Sequence, residues 1–117
     1  MPNRTLLQKE HLVALVTATT GSSNGGLDVD IASARTVEVW ITVTALTGTL
    51  SIDPRTSLDG TNFASIQVTP LSITATGTYV LAYNRAVNTL GMKMRLYYTV
   101  AGGGSTATFF VDLGRYE

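Results

Sequence analysis

The sequence predicts an all-β protein, a single antiparallel β-sandwich with a jelly-roll-like arrangement of about eight strands and a short N-terminal arm. Apolar and polar residues alternate in several segments, and a period of two places one face of a strand on a core and the other toward solvent. Gly, Asn, Pro and Ser clusters separate these segments, and no convincing helical pattern follows residue 16. The number of strands alone does not distinguish a jelly roll from an immunoglobulin-like order.

The length and composition are those of one globular domain. The chain has 117 residues, of which 44% are hydrophobic and 14% are charged, whereas disordered chains are rich in charge and poor in core residues. A domain of this size buries roughly two thirds of the surface that its unfolded chain exposes, which is enough for a core without disulfides. We divide the chain into an N-terminal arm, residues 1–10, and a β-sandwich domain, residues 11–117.

The arm is polar except for two adjacent leucines. Its composition is typical of a frayed terminus or a short edge strand. The alternative is a segment that becomes ordered against a partner, and such a segment would be anchored by Leu6 and Leu7, with Arg4 beside them. We therefore take Arg4, Leu6 and Leu7 as candidate contact residues.

The segments that follow the arm are less regular. Residues 11–20 are mostly β-branched and apolar, which favours a strand from about Leu12. Good helix formers at residues 5–16 leave a helix as the alternative. The Gly, Ser and Asn residues at 21–26 predict a loop, and the alternation in residues 27–31 predicts a short strand.

The clearest strand lies at residues 35–46 and is followed by a tight turn at Thr47-Gly48. Its predicted core-facing residues are Val37, Val39, Ile41, Val43 and Ala45. Trp40 lies on the opposite, nominally solvent-facing side. A tryptophan in such a position packs against a neighbouring loop or strand, or anchors an interface. Trp40 is therefore the fourth candidate contact residue.

The second half of the chain repeats this alternation. The predicted strands are residues 49–53, 61–68, 78–83, 92–100 and 107–113. Pro54 marks an edge or the end of regular pairing. Ser57-Leu58-Asp59-Gly60 predicts a turn in which Asp59 caps its own backbone. The glycines at residues 102–104 predict a flexible hairpin loop between the last two strands.

Charge and composition exclude several classes of function. The formal net charge is zero, and the eight basic residues form no block, whereas a nucleic-acid binder usually presents a basic stripe. Without cysteine the chain has no disulfide and no thiolate metal site. The N-terminus lacks the features of a signal peptide, and no apolar run approaches the roughly 20 residues that span a bilayer. We expect synthesis in a cytoplasm, with neither a nucleic-acid nor a membrane partner.

The residues that support catalysis or metal binding are few. His11 is the single histidine, and no nucleophile, zinc, P-loop or dinucleotide motif occurs. Two carboxylate pairs, Asp28 with Asp30 and Asp53 with Asp59, are the candidates for calcium or hydrolysis. Solvated strand charges and turn-forming aspartates account for both pairs. The sequence therefore predicts no enzyme, no catalytic residues, no cofactor and no metal site.

The aromatic residues suggest an alternative function. They could form a platform for carbohydrate, although alternation assigns about half of them to the core. The residues concerned are Trp40, Tyr79, Tyr83, Tyr97, Tyr98, Phe109, Phe110 and Tyr116. A carbohydrate-binding or adhesive β-sandwich module is thus one alternative.

Five segments in a fixed order resemble small structural proteins of tailed-bacteriophage virions. They are a VTALTGTL turn (residues 43–50), an S-x-D-G-x-N-aromatic turn (57–63), an ITATGTY segment (73–79), an R-x-x-Y-x-V strand (95–100) and a Gly-rich connection to the last strand (102–113). Each motif alone is generic, but the ordered set spans residues 43–113, about three fifths of the chain. Phe63 stands where the family usually has Trp, which preserves an aromatic side chain.

This resemblance implies a β-sandwich virion component. The member of the class that it suggests most strongly is a head decoration, or cement, protein, which binds the major capsid protein on the capsid exterior and stabilises the shell. Such proteins are commonly homotrimers, so the resemblance also implies a trimer. A tail, baseplate or fibre accessory module is the alternative within the virion class.

Overall fold

The computed structural model describes residues 6–19 and 21–116, and within them the side chains of residues 6–12, 14–15 and 22–27 lie outside the description. The described residues form nine strands and no helix. The strands are β1 (Leu6–Thr19), β2 (Gly21–Asp30), β3 (Thr36–Leu46), β4 (Thr49–Ser57), β5 (Ala64–Ser65), β6 (Leu71–Ile73), β7 (Gly77–Asn84), β8 (Lys93–Ala101) and β9 (Thr106–Tyr116).

Two antiparallel sheets pack face to face. Sheet I has the order β1-β9-β3-β7, and sheet II has the order β2-β8-β4-β5, with β6 also paired to β4. With β5 and β6 counted as one interrupted strand, each sheet has four positions, and most connections cross from one sheet to the other. This is the strand order of a jelly roll. The predicted all-β, jelly-roll-like sandwich is therefore confirmed.

The core lies between the two sheets and consists of the inward residues of the alternating strands. Val37, Val39 and Ile41 of β3 are all fully buried, as are Leu96 of β8 and Phe109 of β9. The ring of Phe109 meets Tyr98 edge-on, with the ring centroids 5.0 Å apart. Such an arrangement stabilises a core beyond the apolar area that it buries.

Ala45 was predicted to face the core, and this prediction is wrong. The strand predicted at residues 92–100 begins one residue later, at Lys93. A register shift between Val43 and Ala45 in the pairing with β9 ends the alternation of β3, so that Ala45 is exposed. A bulge inserts an extra residue and turns the following side chains to the other face. Met92 is half exposed because it precedes the first residue of β8.

The N-terminal part is more regular than predicted. β1 begins at Leu6 rather than near Leu12, so that half of the predicted arm belongs to a strand, and the helix alternative is wrong. The loop predicted at residues 21–26 is wrong as well, because these residues form the first part of β2 and pair with β8 from Gly21–Val100 to Gly25–Leu96. Backbone pairing with β8 holds this glycine-rich segment in sheet II.

Two further predictions differ from the structure. The strand predicted at residues 61–68 is reduced to β5, which pairs with β4 at two positions only, and Val68 is fully exposed. The hairpin predicted at residues 102–104 is wrong, because β8 and β9 belong to different sheets. The glycines there allow the chain to cross between the sheets, as the turn at Gly48 does for β3 and β4.

Candidate interaction surfaces

Trp40 lies on the outer face of sheet I, near its middle. It is 42% exposed, and it stands directly opposite Val80 of β7, which is 43% exposed, and Asp112 of β9. The indole Nε1 donates a hydrogen bond of 3.3 Å to Glu38 Oε1, which fixes one edge of the ring. The half-buried ring of Phe110 lies on the same face, opposite Thr42. We call Trp40, Val80 and Phe110 the Trp40 face.

The other three candidate contact residues are placed only in part. Arg4 lies outside the described residues, as do the side chains of Leu6 and Leu7. The backbone of Leu6 pairs with Tyr116, which in turn pairs with Thr36 of β3. Because Thr36 is four residues before Trp40, Leu6 lies about 13 Å from Trp40 along the strand direction. Leu6 and Trp40 thus lie in the same sheet but at different positions along the strand direction.

All four candidate carboxylates are engaged with their neighbours, and three of them form ion pairs or hydrogen bonds within strands and connections. Asp28 forms a bidentate ion pair with Arg95 at 2.7 and 2.9 Å, and this hydrogen bonding lowers the pKa of the Asp28 carboxyl below its ordinary value. Asp30 accepts the Ala32 N–H at 2.9 Å. The buried Asp53 accepts hydrogen bonds from Arg55 Nε at 3.0 Å and from the Ser65 hydroxyl at 2.8 Å. These carboxylates therefore hold strands and turns together.

Asp59 organises the turn predicted for it. Its Oδ1 accepts the N–H groups of Thr61 and Asn62, both at 2.8 Å, and Oδ2 accepts the Asn62 side-chain amide. The Ser57 hydroxyl donates to Oδ1 and accepts the N–H of Gly60. The backbone N–H groups of Asn62 and Thr61 hold the pKa of the Asp59 carboxyl well below its ordinary range. The ionised carboxylate closes the turn by these bonds.

Replacing Asp59 with Asn is expected to lower stability near neutral pH and to have progressively less effect in acid. The pKa of Asp59 is lower in the folded chain than its ordinary value of 3.8, so the stabilisation is complete above that value and is lost as the pH falls toward the folded pKa. Urea midpoints of both proteins at pH ~7 and ~2.5 measure the difference. A gap between the two proteins that does not change with pH contradicts this account.

The single histidine and the metal-binding groups show no clustering in the described part of the chain. His11 lies in β1 opposite Asp112, and its side chain is outside the described residues. Among the side chains that the structure describes, no group of three or more His, Cys, Asp or Glu residues is arranged to hold a metal ion.

The aromatic residues are distributed over both sheets and the core. Tyr98 and Phe109 are buried. Burial, with a contribution from the charge of Asp53, raises the pKa of the Tyr83 hydroxyl, which donates to Gln67 Oε1 at 2.6 Å. Tyr97 lies on the outer face of sheet II, where the Arg55 guanidinium covers its ring at 4.1 Å. Tyr97 and Trp40 therefore lie on opposite outer faces of the sandwich.

Arg85, which follows β7, joins the loops at one end of the sandwich. Its Nε donates to the carbonyl of Ala34 at 2.9 Å, and Nη2 donates to that of Ile31 at 2.7 Å. Its Nη1 donates to the carbonyls of Leu90 and Gly91 at 2.7 and 3.3 Å. One half-buried cation thus holds the β2–β3 connection against the β7–β8 connection.

A surface pocket lies beside this cation. It has a volume of 370 Å³ and is lined by Ala32, Ser33, Ala34, Arg35, Arg85 and Ala86. We call it the corner pocket. Sequence reasoning missed it, because Arg35 and Arg85 are distant in the chain and become neighbours through the pairing of Thr36 with Asn84. The available signal was a basic residue immediately before one strand and another immediately after a second strand.

In the part of the chain that the structure describes, no helix is long and apolar enough to cross a membrane. No protein-family model matches the sequence, and no curated protein matches it either.

Proposed function

We propose that the chain is a structural protein of a tailed-bacteriophage virion, one that decorates the outer surface of the capsid and stabilises it by bridging major capsid subunits. The observation that carries the proposal is the exposed Trp40 face at the middle of a sheet. Trp and Phe side chains with part of their surface exposed are typical anchors of protein interfaces. The ordered set of motifs that resembles small virion proteins supports the same function.

The corresponding segments provide the scaffold for that surface. The residues of the resemblance at 43–50 form the turn from β3 to β4, those at 57–63 form the Asp59 turn, and those at 102–113 form the crossing from β8 into β9. β3 and β9 pair directly in one sheet, so Trp40 and Phe110 reach the same outer face. In this proposal the binding surface lies on strands between the motif turns.

The proposed mechanism is mechanical. A protein that binds two adjacent capsid subunits, but binds dissociated subunits more weakly, stabilises the assembled shell by mass action. Repetition of such contacts over a shell multiplies the effect, and association of the decoration protein as a trimer raises the effective concentration of each binding face. The proposed partner is the major capsid protein, and the proposed location is the capsid exterior.

Co-sedimentation tests the proposal directly. The purified chain is mixed with expanded heads, and in parallel with tails, of the phage that encodes it. Binding to heads in a fixed ratio to capsid subunits, together with a trimeric mass by light scattering, is the expected result. Binding to tails alone would assign the chain to a tail, baseplate or fibre module. Binding to neither particle would overturn the virion proposal, and a glycan array would then test the carbohydrate-binding alternative.

Replacing Trp40 with Ala is expected to weaken binding to heads about thirtyfold, because an interface tryptophan contributes roughly 2 kcal/mol or more. Leu58→Ala is the matched control, since Leu58 is a 76% exposed apolar residue in the turn before Asp59, away from the Trp40 face. The control is expected to bind as the unmodified protein does. Equal head affinity for Trp40→Ala and the unmodified chain would remove the Trp40 face from the interface.

A further inference from the structure

We propose that the corner pocket is a binding site for a carboxylate group, of the kind that an acidic side chain of a protein partner carries. The pocket is lined by two arginines, a serine and three alanines, and it has a volume of about 370 Å³. A volume of this size lies within the range of ligand-binding clefts. The inference concerns the isolated chain and stands whether or not the chain decorates a capsid.

The two arginines of the pocket differ in how many of their hydrogen-bond donors are already used. Arg85 uses Nε, both N–H groups of Nη1 and one of Nη2 on backbone carbonyls, so its position is fixed while its charge remains. Arg35 is exposed, and among the side chains that the structure describes none forms an ion pair with its guanidinium. A guanidinium fork matches the two oxygens of a carboxylate, which makes Arg35 the group that binds and Arg85 the fixed charge behind it.

The local charge favours an anion. None of the six lining residues is acidic, and Arg115, the next arginine along this end, donates to the backbone carbonyl of Asp30. The carboxylate of Asp30 accepts the Ala32 N–H. Because the net charge of the chain is zero, the pocket attracts an anion through its own arginines and not through the electrostatic field of the whole protein.

The remaining lining residues favour a carboxylate over a phosphate. The exposed Ala32 and Ala86 have methyl side chains, which suit the CH₂ stem of an acidic side chain better than the oxygens of a dianion. Ser33 is also exposed and adds a hydroxyl-bearing side chain to the lining. In the proposed site, the Arg35 guanidinium binds the two carboxylate oxygens, and the alanine methyl groups contact the CH₂ groups of the ligand.

The test is a titration of the purified chain with glutarate, and separately with inorganic phosphate, followed by the backbone amide NMR signals of Ser33 and Ala86. Saturable shifts with glutarate are expected in the unmodified protein, and Arg35→Gln is expected to weaken the affinity at least tenfold. Lys93→Gln is the matched control, because it removes the same charge near the same end of the sandwich but does not line the pocket. Its affinity for glutarate is expected to equal that of the unmodified chain.

No saturable shift of the Ser33 and Ala86 signals with glutarate in the unmodified protein would overturn the proposal. Equal affinity in Arg35→Gln, or tighter binding of phosphate than of glutarate at the same residues, would also overturn it.

Discussion

Arg85→Met is expected to lower the free energy of unfolding by about 4 kcal/mol, because four backbone carbonyls lose a charged donor at once. Methionine nearly preserves the length of the side chain but donates no hydrogen bond. Water, which reaches these carbonyls only in part, is then their remaining hydrogen-bond donor; the carbonyls are those of Ile31, Ala34, Leu90 and Gly91. Urea denaturation followed by far-UV circular dichroism measures the loss.

Arg95→Met is the control for this prediction, because the same substitution there removes a more exposed ion pair. Arg95 pairs with Asp28 and lies 4.0 Å from the ring of Phe63, but the two charged side chains are 28% and 37% exposed. Partly exposed pairs of this kind contribute little to stability, so the loss in Arg95→Met is expected to be much smaller than that in Arg85→Met. Equal losses of unfolding free energy in Arg85→Met and Arg95→Met would show that the hydrogen bonds from Arg85 to backbone carbonyls stabilise the fold no more than the exposed ion pair does.

The strands that could be predicted are those whose two faces meet different surroundings. β3, β8 and β9 each place one side on the core and the other on solvent, so their sequences alternate. The turn at Asp59 could be predicted for a similar reason, because its hydrogen bonds are made within a few residues of sequence. Hydrogen bonds can be predicted from a sequence when both partners lie within a few residues of each other.

The elements that could not be predicted depend on distant partners. The first part of β2 is held by backbone bonds to β8, which Gly and Ser make as well as any other residue and which leave no pattern. Whether a glycine turn closes a hairpin or crosses between sheets is decided by the packing of the two sheets, as the crossing at residues 102–104 shows. The turn residues are the same in both cases.

The same distinction separates the two candidate surfaces. The outward position of Trp40 followed from its place between the inward residues Val39 and Ile41. The corner pocket did not follow from the sequence, because it requires that the start of β3 lie beside the end of β7, and neither segment specifies its neighbour. The sequence alone therefore does not distinguish Arg85 from other charged loop residues.

Gly48→Ala is expected to lower the free energy of unfolding by about 3 kcal/mol, since two separate costs coincide at this turn. Gly48 has a φ of +82°, a conformation that a residue with a Cβ adopts only with strain. An added Cβ would also lie 2.5 Å from the Ala101 carbonyl oxygen and 2.2 Å from the Ser105 hydroxyl oxygen. The β3–β4 turn and the β8–β9 crossing would have to separate.

Two other glycines distinguish these costs. Gly60 has a φ of +80° and open space around its Cα, so Gly60→Ala measures the backbone strain alone, about 1 kcal/mol. Gly103 has neither a positive φ nor a close neighbour, and Gly103→Ala is expected to be neutral or slightly stabilising. The loss in Gly48→Ala beyond that in Gly60→Ala then measures the contact between the two crossings. If Gly48→Ala and Gly60→Ala lose the same amount, the crossings do not press on one another and the second cost is absent.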